Sequence, residues 1–559
     1  MQNKMLAEVL VHDLWKSGVD TVFGVPGGPV SPFFIAAKRQ GMRLVESKHE
    51  SSAVFEAIGY QLETGKTPLV LVTSGPGSTN CLTGLATAYE RKIPLLLLSG
   101  DVSWEKSDGQ LIQNSRFFEQ LAAPFSAATH RIRSVHAAKG ILAKALAQLA
   151  ARPSKGPVTI VCPIHLAAAR GDDVAACEQM RIVNRRSDDF DAAIRGLVEK
   201  VAHAKRPLLI LGQGTRGIER AIVSRIVEPA SLPFVTTIQG KGLYDERHPL
   251  SLRHIGLAAS VWGKEYCPKA DLVIAIGTDL DDCSIGPVTF DRNAEVVHID
   301  ADSLVFGRNL PTRLALHATF DEFLSAWCTY AEGLRPNAER EDSIRRFKSE
   351  TPARLDRRVS SGLVCPQTLV EKLQDVFFER RSGSRLVSDI GEHMLFAAHY
   401  FTSKGERDFE IFIGHGSMGS GIASSIGFAL AEPKRPVICI CGDGGMQMSG
   451  MEILLAQKLK LPMVYVVFND ARYNMVHHGA QTLYEDNLSW ETHKVDFADW
   501  AESMGVQGFT VRHAGMLAEI DWDHVLESGP CVLDVAIDRS VKMGGGRNEM
   551  LKHMSAEAT

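Results

Sequence analysis

The chain is 559 residues long, enough for about three or four domains of ordinary size. Apolar residues make up 45% and charged residues 23%, which excludes disorder, collagen-like repeats and a small disulfide-stapled scaffold. With 61 Lys and Arg against 66 Asp and Glu the formal charge is -5, a balance that, without a long Lys/Arg run, does not suggest a dedicated nucleic-acid binder and leaves room only for a local basic patch.

The first twenty residues, MQNKMLAEVLVHDLWKSGVD, read as an amphipathic, charged segment without the apolar core of a secretory signal. No stretch reaches the roughly 18 uninterrupted apolar residues of a membrane span. The 10 cysteines are scattered, with no CxxC pair and no spacing suited to zinc. Cys439 and Cys441 share one apolar run and read as buried strand residues. Reduced thiols in a cytoplasmic enzyme are therefore expected.

Short apolar, β-branched runs alternate with longer amphipathic segments. Strands are expected in 67–74, 93–100 and 156–163, then in 206–214, 270–278 and 294–300, and finally in 435–443 and 461–470. Continuous apolar runs without in-out alternation suit parallel strands covered on both faces. The expected fold is α/β, with doubly wound parallel sheets. Polar stretches at 169–189 and 328–350 divide it into domains at 1–168, 188–332 and 355–545, and the tail beyond Arg539 reads as a closing segment.

The third block carries the strongest chemical signal. One strand ends in Gly442-Asp443-Gly444-Gly445, and the next ends in Asn469-Asp470-Ala471-Arg472-Tyr473. In parallel α/β sheets ligands bind beyond the carboxyl ends of strands. Glycines there let a backbone approach phosphate, and the following helix N-terminus favours negative charge. Asp443 and Asp470 would then hold a hard cation, Mg2+ or Ca2+, with diphosphate completing the shell. Turn aspartates that merely cap helices are the plainer alternative.

GDGG followed one strand later by NDARYNMV resembles the metal-diphosphate motif of the thiamine-diphosphate enzymes, and the pattern Tyr473-Asn474-Met475-Val476 resembles that of catabolic acetolactate synthases. The family's usual second asparagine is Asp470 here, which keeps an oxygen ligand. The resemblance implies Asp443 and Asp470 as side-chain ligands of Mg2+, and Arg472 as a ligand through its backbone carbonyl. It also implies Gly442, Gly444, Gly445, Asn474 and Met475 as cofactor-binding residues.

Further motifs extend the resemblance over nearly the whole chain and imply three domains: pyrimidine-binding, central and diphosphate-binding. Phe23-Gly24-Val25-Pro26-Gly27-Gly28, Lys48-His49-Glu50 and SGPGSTN (74–80) are similar to the pyrimidine-binding domain, which puts Gly27 and Gly28 at the cofactor. Glu50 stands where the family places the glutamate that meets N1′ of the aminopyrimidine. A carboxyl in an apolar pocket has a raised pKa and can share that proton. Taken alone, Glu50 reads as a helix-start residue. HGSMGSGIASSIGFALA (415–431) supplies Gly416 and the bulky Met418 that props the cofactor, unless Met418 only fills core space. His393, in Asp389-Ile390-Gly391-Glu392-His393, matches the diphosphate-side loop. His477 and His478 fit either a substrate mouth or the surface.

The central block carries GQGTRG (212–217), a weak phosphate-loop signal that equally describes a turn. Some family members hold FAD in this domain. Where flavin-containing synthases carry RFDDR, this chain has Thr278-Asp279-Leu280-Asp281-Asp282-Cys283, without either arginine, so the resemblance does not assign FAD.

The family's simple decarboxylases place a His-His pair after the strand ending near Gly100. This chain reads SGDVSWEKSDGQLIQNSRFF there, with Gln113 resembling the synthases' catalytic glutamine and Gln110 a neighbouring competitor. A site without proton donors leaves the carbanionic two-carbon unit free to attack a second carbonyl. The resemblance thus implies a carboligase of acetolactate synthase type. It would decarboxylate pyruvate or another 2-oxo acid and pass the unit to a carbonyl acceptor, in a homodimer or homotetramer whose sites lie between subunits. A 2-oxo acid decarboxylase, or an acetyl transferase to a ketone, aldehyde or phosphate, remains the alternative.

Overall fold

The structure, a computed structural model, describes residues 4–102, 117–151, 153–169, 188–286, 288–291, 293–302, 305–306, 309–310, 312–355, 362–381, 383–484 and 488–543. It contains three six-stranded parallel sheets. The first is built from β1 (Thr21–Gly24), β2 (Arg43–Glu46), β3 (Leu69–Val72), β4 (Leu96–Asp101), β5 (Ala128–Arg131) and β6 (Val158–Pro163), in the order β2-β1-β3-β4-β6-β5. The second comprises β7 (Pro207–Leu211), β8 (Phe234–Thr236), β9 (Ser251–His254), β10 (Leu272–Ile276), β11 (Glu295–Asp300) and β12 (Leu314–His317), in the order β12-β11-β10-β7-β8-β9. The third holds β13 (Arg385–Ser388), β14 (Phe409–Ile411), β15 (Val437–Gly442), β16 (Met463–Asn469), β17 (Gln507–Val511) and β18 (Cys531–Ala536), in the order β14-β13-β15-β16-β18-β17.

Counted from the first strand of each domain, the outer two sheets have the same order, 2-1-3-4-6-5. The middle sheet, read from its other edge, has the order 3-2-1-4-5-6 of dinucleotide-binding folds. Central strands such as Leu69–Val72 and Pro207–Leu211 are buried at every residue, as parallel strands covered by helices on both faces must be. Each of the eight runs read as strands from the sequence contains one.

The outer domains are pressed together through the helices Glu50–Thr64 and Ser420–Ala431. A Cβ at Gly427 would lie 1.9 Å from the Glu56 carbonyl oxygen, and one at Gly59 would lie 2.2 Å from that of Ser424. Only glycine allows backbones this close. Gly427→Ala is therefore expected to destabilise the protein by about 1–3 kcal/mol, read as a lower urea midpoint. Buried charge ties the three domains together. Glu410 meets Arg91 of the first domain at 2.8 Å and Arg216 of the central domain at 2.5 Å. Burial raises the Glu410 carboxyl, but the two guanidinium groups more than offset it and leave it below its ordinary value.

Gly212 and Gly214 sit at the switch point of the middle sheet, where β7 and β10 diverge. A Cβ on Gly212 would fall 2.1 Å from the Gly277 carbonyl oxygen, and one on Gly214 would fall 2.8 Å from the Gly277 Cα. These two glycines are accounted for by the chain packing on itself. Among the described residues no helix is long and apolar enough to cross a membrane.

Candidate active site

A cavity of about 240 Å³ opens beyond the carboxyl ends of β13, β15 and β16. β15 ends at Gly442, and Asp443 opens the helix Asp443–Ser449. At the helix's first residue the Asp443 carboxylate is held at both oxygens, Oδ1 accepting from Gly444 N at 2.8 Å and Oδ2 from Thr492 Oγ1 at 3.0 Å. From the end of β16, Asp470 Oδ1 accepts from Arg472 N at 3.2 Å and holds the turn that carries Arg472. Asp443, Asp470 and Arg472 all line the cavity, with Gly416, Met418, Gly442, Gly444, His393, Asn474 and Met475.

The electrostatics of this cavity favour a bound cation. Burial, then the charges of Asp443 and Glu392, push the Asp470 carboxyl up to about 7. Burial also raises Asp443. A buried carboxyl pushed up by a neighbouring carboxylate is relieved by a divalent ion. No three His, Cys, Asp or Glu side chains converge as a cation site among the described residues. His393 has a buried Nε2 without a hydrogen-bond partner, and burial lowers its imidazole to about 4, so the ring is neutral. A Cβ at Gly444 would lie 2.6 Å from the Tyr473 ring and 3.0 Å from the Met418 methyl, so this wall is tightly packed. The residues present fit a diphosphate and its cation.

Gly445 lies just outside the cavity, where a Cβ would meet Asp389 Oδ2 at 2.2 Å. Asp389 shows why the neighbouring helix starts where it does. Its buried carboxylate accepts from Gly419 N and Gly421 N, each at 3.0 Å, and so caps the helix Ser420–Ala431 from another segment. Burial still pushes Asp389 up to about 6, against the pull of those N–H groups.

Glu392 also lines the cavity, and its role was not legible in the sequence. Asn474 Nδ2 donates to its Oε2 at 2.6 Å, and the His478 ring Nδ1 stands 2.7 Å from its Oε1. His478 is thereby buried behind Glu392, whereas His477 pairs with the Leu488 carbonyl at 2.7 Å. Thr492 was likewise missed, because it reaches Asp443 from 49 residues away. Only the tertiary fold brings these partners together.

The first-domain residues form a separate cluster. Glu50 opens the helix Glu50–Thr64, and the His49 ring caps it by accepting from Ser51 N. Glu50 is 8% exposed, and its Oε2 accepts from Asn80 Nδ2 at 3.0 Å. A Cβ on Gly77 would fall 3.2 Å from Glu50 Oε1 and 2.7 Å from the Thr73 methyl, and one on Gly27 would fall 2.6 Å from Thr73 Oγ1. Glu50, Thr73, Gly27 and Gly77 therefore share one tight patch, in which Thr73 Oγ1 is buried without a partner. Gly28 follows as the first residue of a short 3₁₀ turn. None of these residues lines the cavity, whose wall runs from Pro366 to Val541. Gln113 and Gln110 lie outside the described residues.

Comparison with known proteins supports the assignment. The family described as "Thiamine pyrophosphate enzyme, N-terminal TPP binding domain" matches residues 4–123. Its central domain matches 194–327, and its C-terminal TPP binding domain matches 389–535. The chain is 28% identical to the acetolactate synthase large subunit of Haemophilus influenzae, over 99% of each chain. It is also 28% identical to the acetolactate synthase isozyme 2 large subunit of Escherichia coli, over 98% of this chain and 100% of that one. With the Saccharomyces cerevisiae mitochondrial catalytic subunit the identity is 26%, over 96% and 82%. Together with the cavity's donors and the three parallel sheets, these matches place the chain in the thiamine-pyrophosphate enzyme family, among its acetolactate synthase-like members.

Proposed function

We propose that this protein is a thiamine-diphosphate-dependent carboligase that decarboxylates pyruvate and transfers the two-carbon unit to a carbonyl acceptor. The observation that carries this reading is the pair of half-sites, a diphosphate cavity in the third domain and a buried glutamate cluster in the first. Thiamine diphosphate supplies, when bound, the carbanionic centre that attacks the 2-oxo acid and holds the acyl unit after CO₂ leaves. Asp443, Asp470 and the Arg472 carbonyl are assigned to Mg2+, and His393, Gly416, Gly442, Gly444, Gly445, Asn474 and Met475 to the diphosphate side. Met418 props the ring pair. Glu50 holds the proton against the pyrimidine nitrogen, with Gly27 and Gly28 beside it, and Gln113 faces the substrate.

In this reading Glu50 of a second copy completes the site, in a homodimer or a homotetramer built from such dimers, and a cavity wall that lies wholly within the third domain supports it. Domain boundaries at 1–168, 188–332 and 355–545 agree with sheets that run over 21–163, 207–317 and 385–536. Nine described cysteines without a disulfide accord with a cytoplasmic protein. A carboligase is favoured over a simple decarboxylase because the segment from Val102 to Phe117 contains no histidine to act as a proton donor. The test is release of CO₂ from pyruvate by the purified protein, dependent on thiamine diphosphate and Mg2+ together and abolished by EDTA. CO₂ release that is indifferent to either addition would contradict the reading.

A further inference from the structure

A second pair of carboxyls, outside the cavity, bears on Glu50. Glu452 lies in the third domain, in the 3₁₀ turn Gly450–Glu452 that follows the helix Asp443–Ser449, and is 1% exposed. Its carboxylate crosses to the first domain, where Lys48 N donates to both oxygens at 3.0 Å and His49 N donates to Oε1 at 3.1 Å. These are the two amides immediately before Glu50. The neighbouring Glu56, on the first helix of the same segment, is 0% exposed. Its Oε2 accepts from Ser47 Oγ at 2.7 Å, while its Oε1 has no hydrogen-bond donor. Glu56 and Glu452 interact directly, and the interaction favours the proton on Glu56 and the charge on Glu452. Burial, and then the Glu452 charge, raise the Glu56 carboxyl well above its ordinary value, so it retains a proton. That proton, placed on the otherwise unpartnered Oε1, lets Glu56 donate to Glu452, whose own carboxyl burial raises against the pull of the Lys48 and His49 amides it accepts from.

We propose that Glu452 is a positioning residue for Glu50, its carboxylate fixing the Ser47–His49 turn across the domain boundary while protonated Glu56 holds that carboxylate in place. The proposal rests on the reading of Glu50 given above. Glu50 emerges directly from the clamped amides, and among the described residues its side chain has one hydrogen-bond partner, Asn80. Its aim is therefore set largely by the backbone, and the backbone is held by Glu452. A glutamine at position 56 reproduces the arrangement, with its oxygen accepting from Ser47 and its amide donating to Glu452. An alanine at either position does not.

The test uses the full-length protein and two readouts. In the absence of cofactor, amide hydrogen exchange at Lys48 and His49 should rise at least about tenfold in Glu452→Ala, with the core strands still protected. With thiamine diphosphate and Mg2+ bound and no substrate present, exchange of the thiazolium C2 proton should fall at least about tenfold in Glu452→Ala and in Glu56→Ala. Glu56→Gln should stay within about twofold of wild type, a rescue that a purely space-filling role would not give. Glu50→Gln is the control. If it is impaired while Glu452→Ala is not, or if Glu56→Gln is as impaired as Glu56→Ala, the clamp is overturned and the reading of Glu50 stands. If Glu50→Gln exchanges as wild type, that reading falls and the clamp falls with it. Should Glu452→Ala fail to fold, the two Glu56 variants decide the matter alone.

Discussion

Glu50→Gln is expected to lower kcat by about 10²–10³ while the protein folds normally and binds its cofactor within a few-fold of wild type. The substitution keeps the side chain's size and an oxygen to accept the one bond from Asn80 Nδ2. It removes only the ability to hold and release a proton, which is the function assigned to Glu50. The patch around it, with Thr73 Oγ1 unpartnered and Gly27 and Gly77 pressed against Thr73, leaves little room for a larger replacement. Since the cofactor cavity is lined entirely from the third domain, the loss should also be repairable between chains. Dissociating and remixing Glu50→Gln with Asp443→Ala, each inactive alone, should restore roughly a quarter of wild-type activity, because half of the random dimers carry one intact site of two. No restoration would place both half-sites in a single chain.

Asp443→Ala is expected to weaken binding of thiamine diphosphate in the presence of Mg2+ by at least about 100-fold, measured by calorimetry. Asp443 stands where β15 meets its helix, with the Gly444 amide and the Thr492 hydroxyl orienting its two oxygens. Loss of this carboxylate would leave Asp470 as the lone acidic side chain of the proposed cation site. Wild-type protein in EDTA should behave like the variant. Binding should also depend on pH in one direction. Asp470 is pushed up to about 7, by burial first and then by Asp443 and Glu392, so below that value a proton must leave before the cation binds. Mg2+ affinity should therefore rise about tenfold per pH unit up to neutrality and level off above it. A flat profile from pH 5.5 to 8 would remove Asp470 from the ligand set.

Most of the buried middle strands were legible in the sequence, the short β1 and β8 excepted, and the exposed edges were not. The strands read directly from apolar runs, such as β3, β7, β10, β15 and β16, are central and buried almost throughout. β2, β5, β12 and β17 are edge strands with mixed exposure, so they carry no continuous apolar run. β18 is central yet escaped notice because Asp534 interrupts it. That carboxylate is satisfied by Asn469 Nδ2 at 2.8 Å and Phe497 N at 3.0 Å, partners that no local pattern predicts. The matching order of the two outer sheets was likewise hidden, because strand order follows from packing and not from composition.

The site divides along the same line. Asp443, Asp470 and Arg472 could be named because each sits in a short motif at a strand end, Met418 and His393 through the family resemblance of their segments, and the structure gathers all five around one cavity. Glu392 with His478, Thr492 with Asp443 and Glu452 with the Lys48 and His49 amides are pairs separated by tens to hundreds of residues, so only the fold reveals them.

The most direct test of the account is a carbon balance with pyruvate as sole substrate. Purified protein with thiamine diphosphate and Mg2+ would be assayed together for pyruvate consumed and for CO₂, acetolactate and acetaldehyde formed. The account predicts a carboligation product, with one acetolactate and one CO₂ for every two pyruvates consumed. CO₂ matched by acetaldehyde, with no carboligation product even when other 2-oxo acids are offered as acceptors, would contradict it.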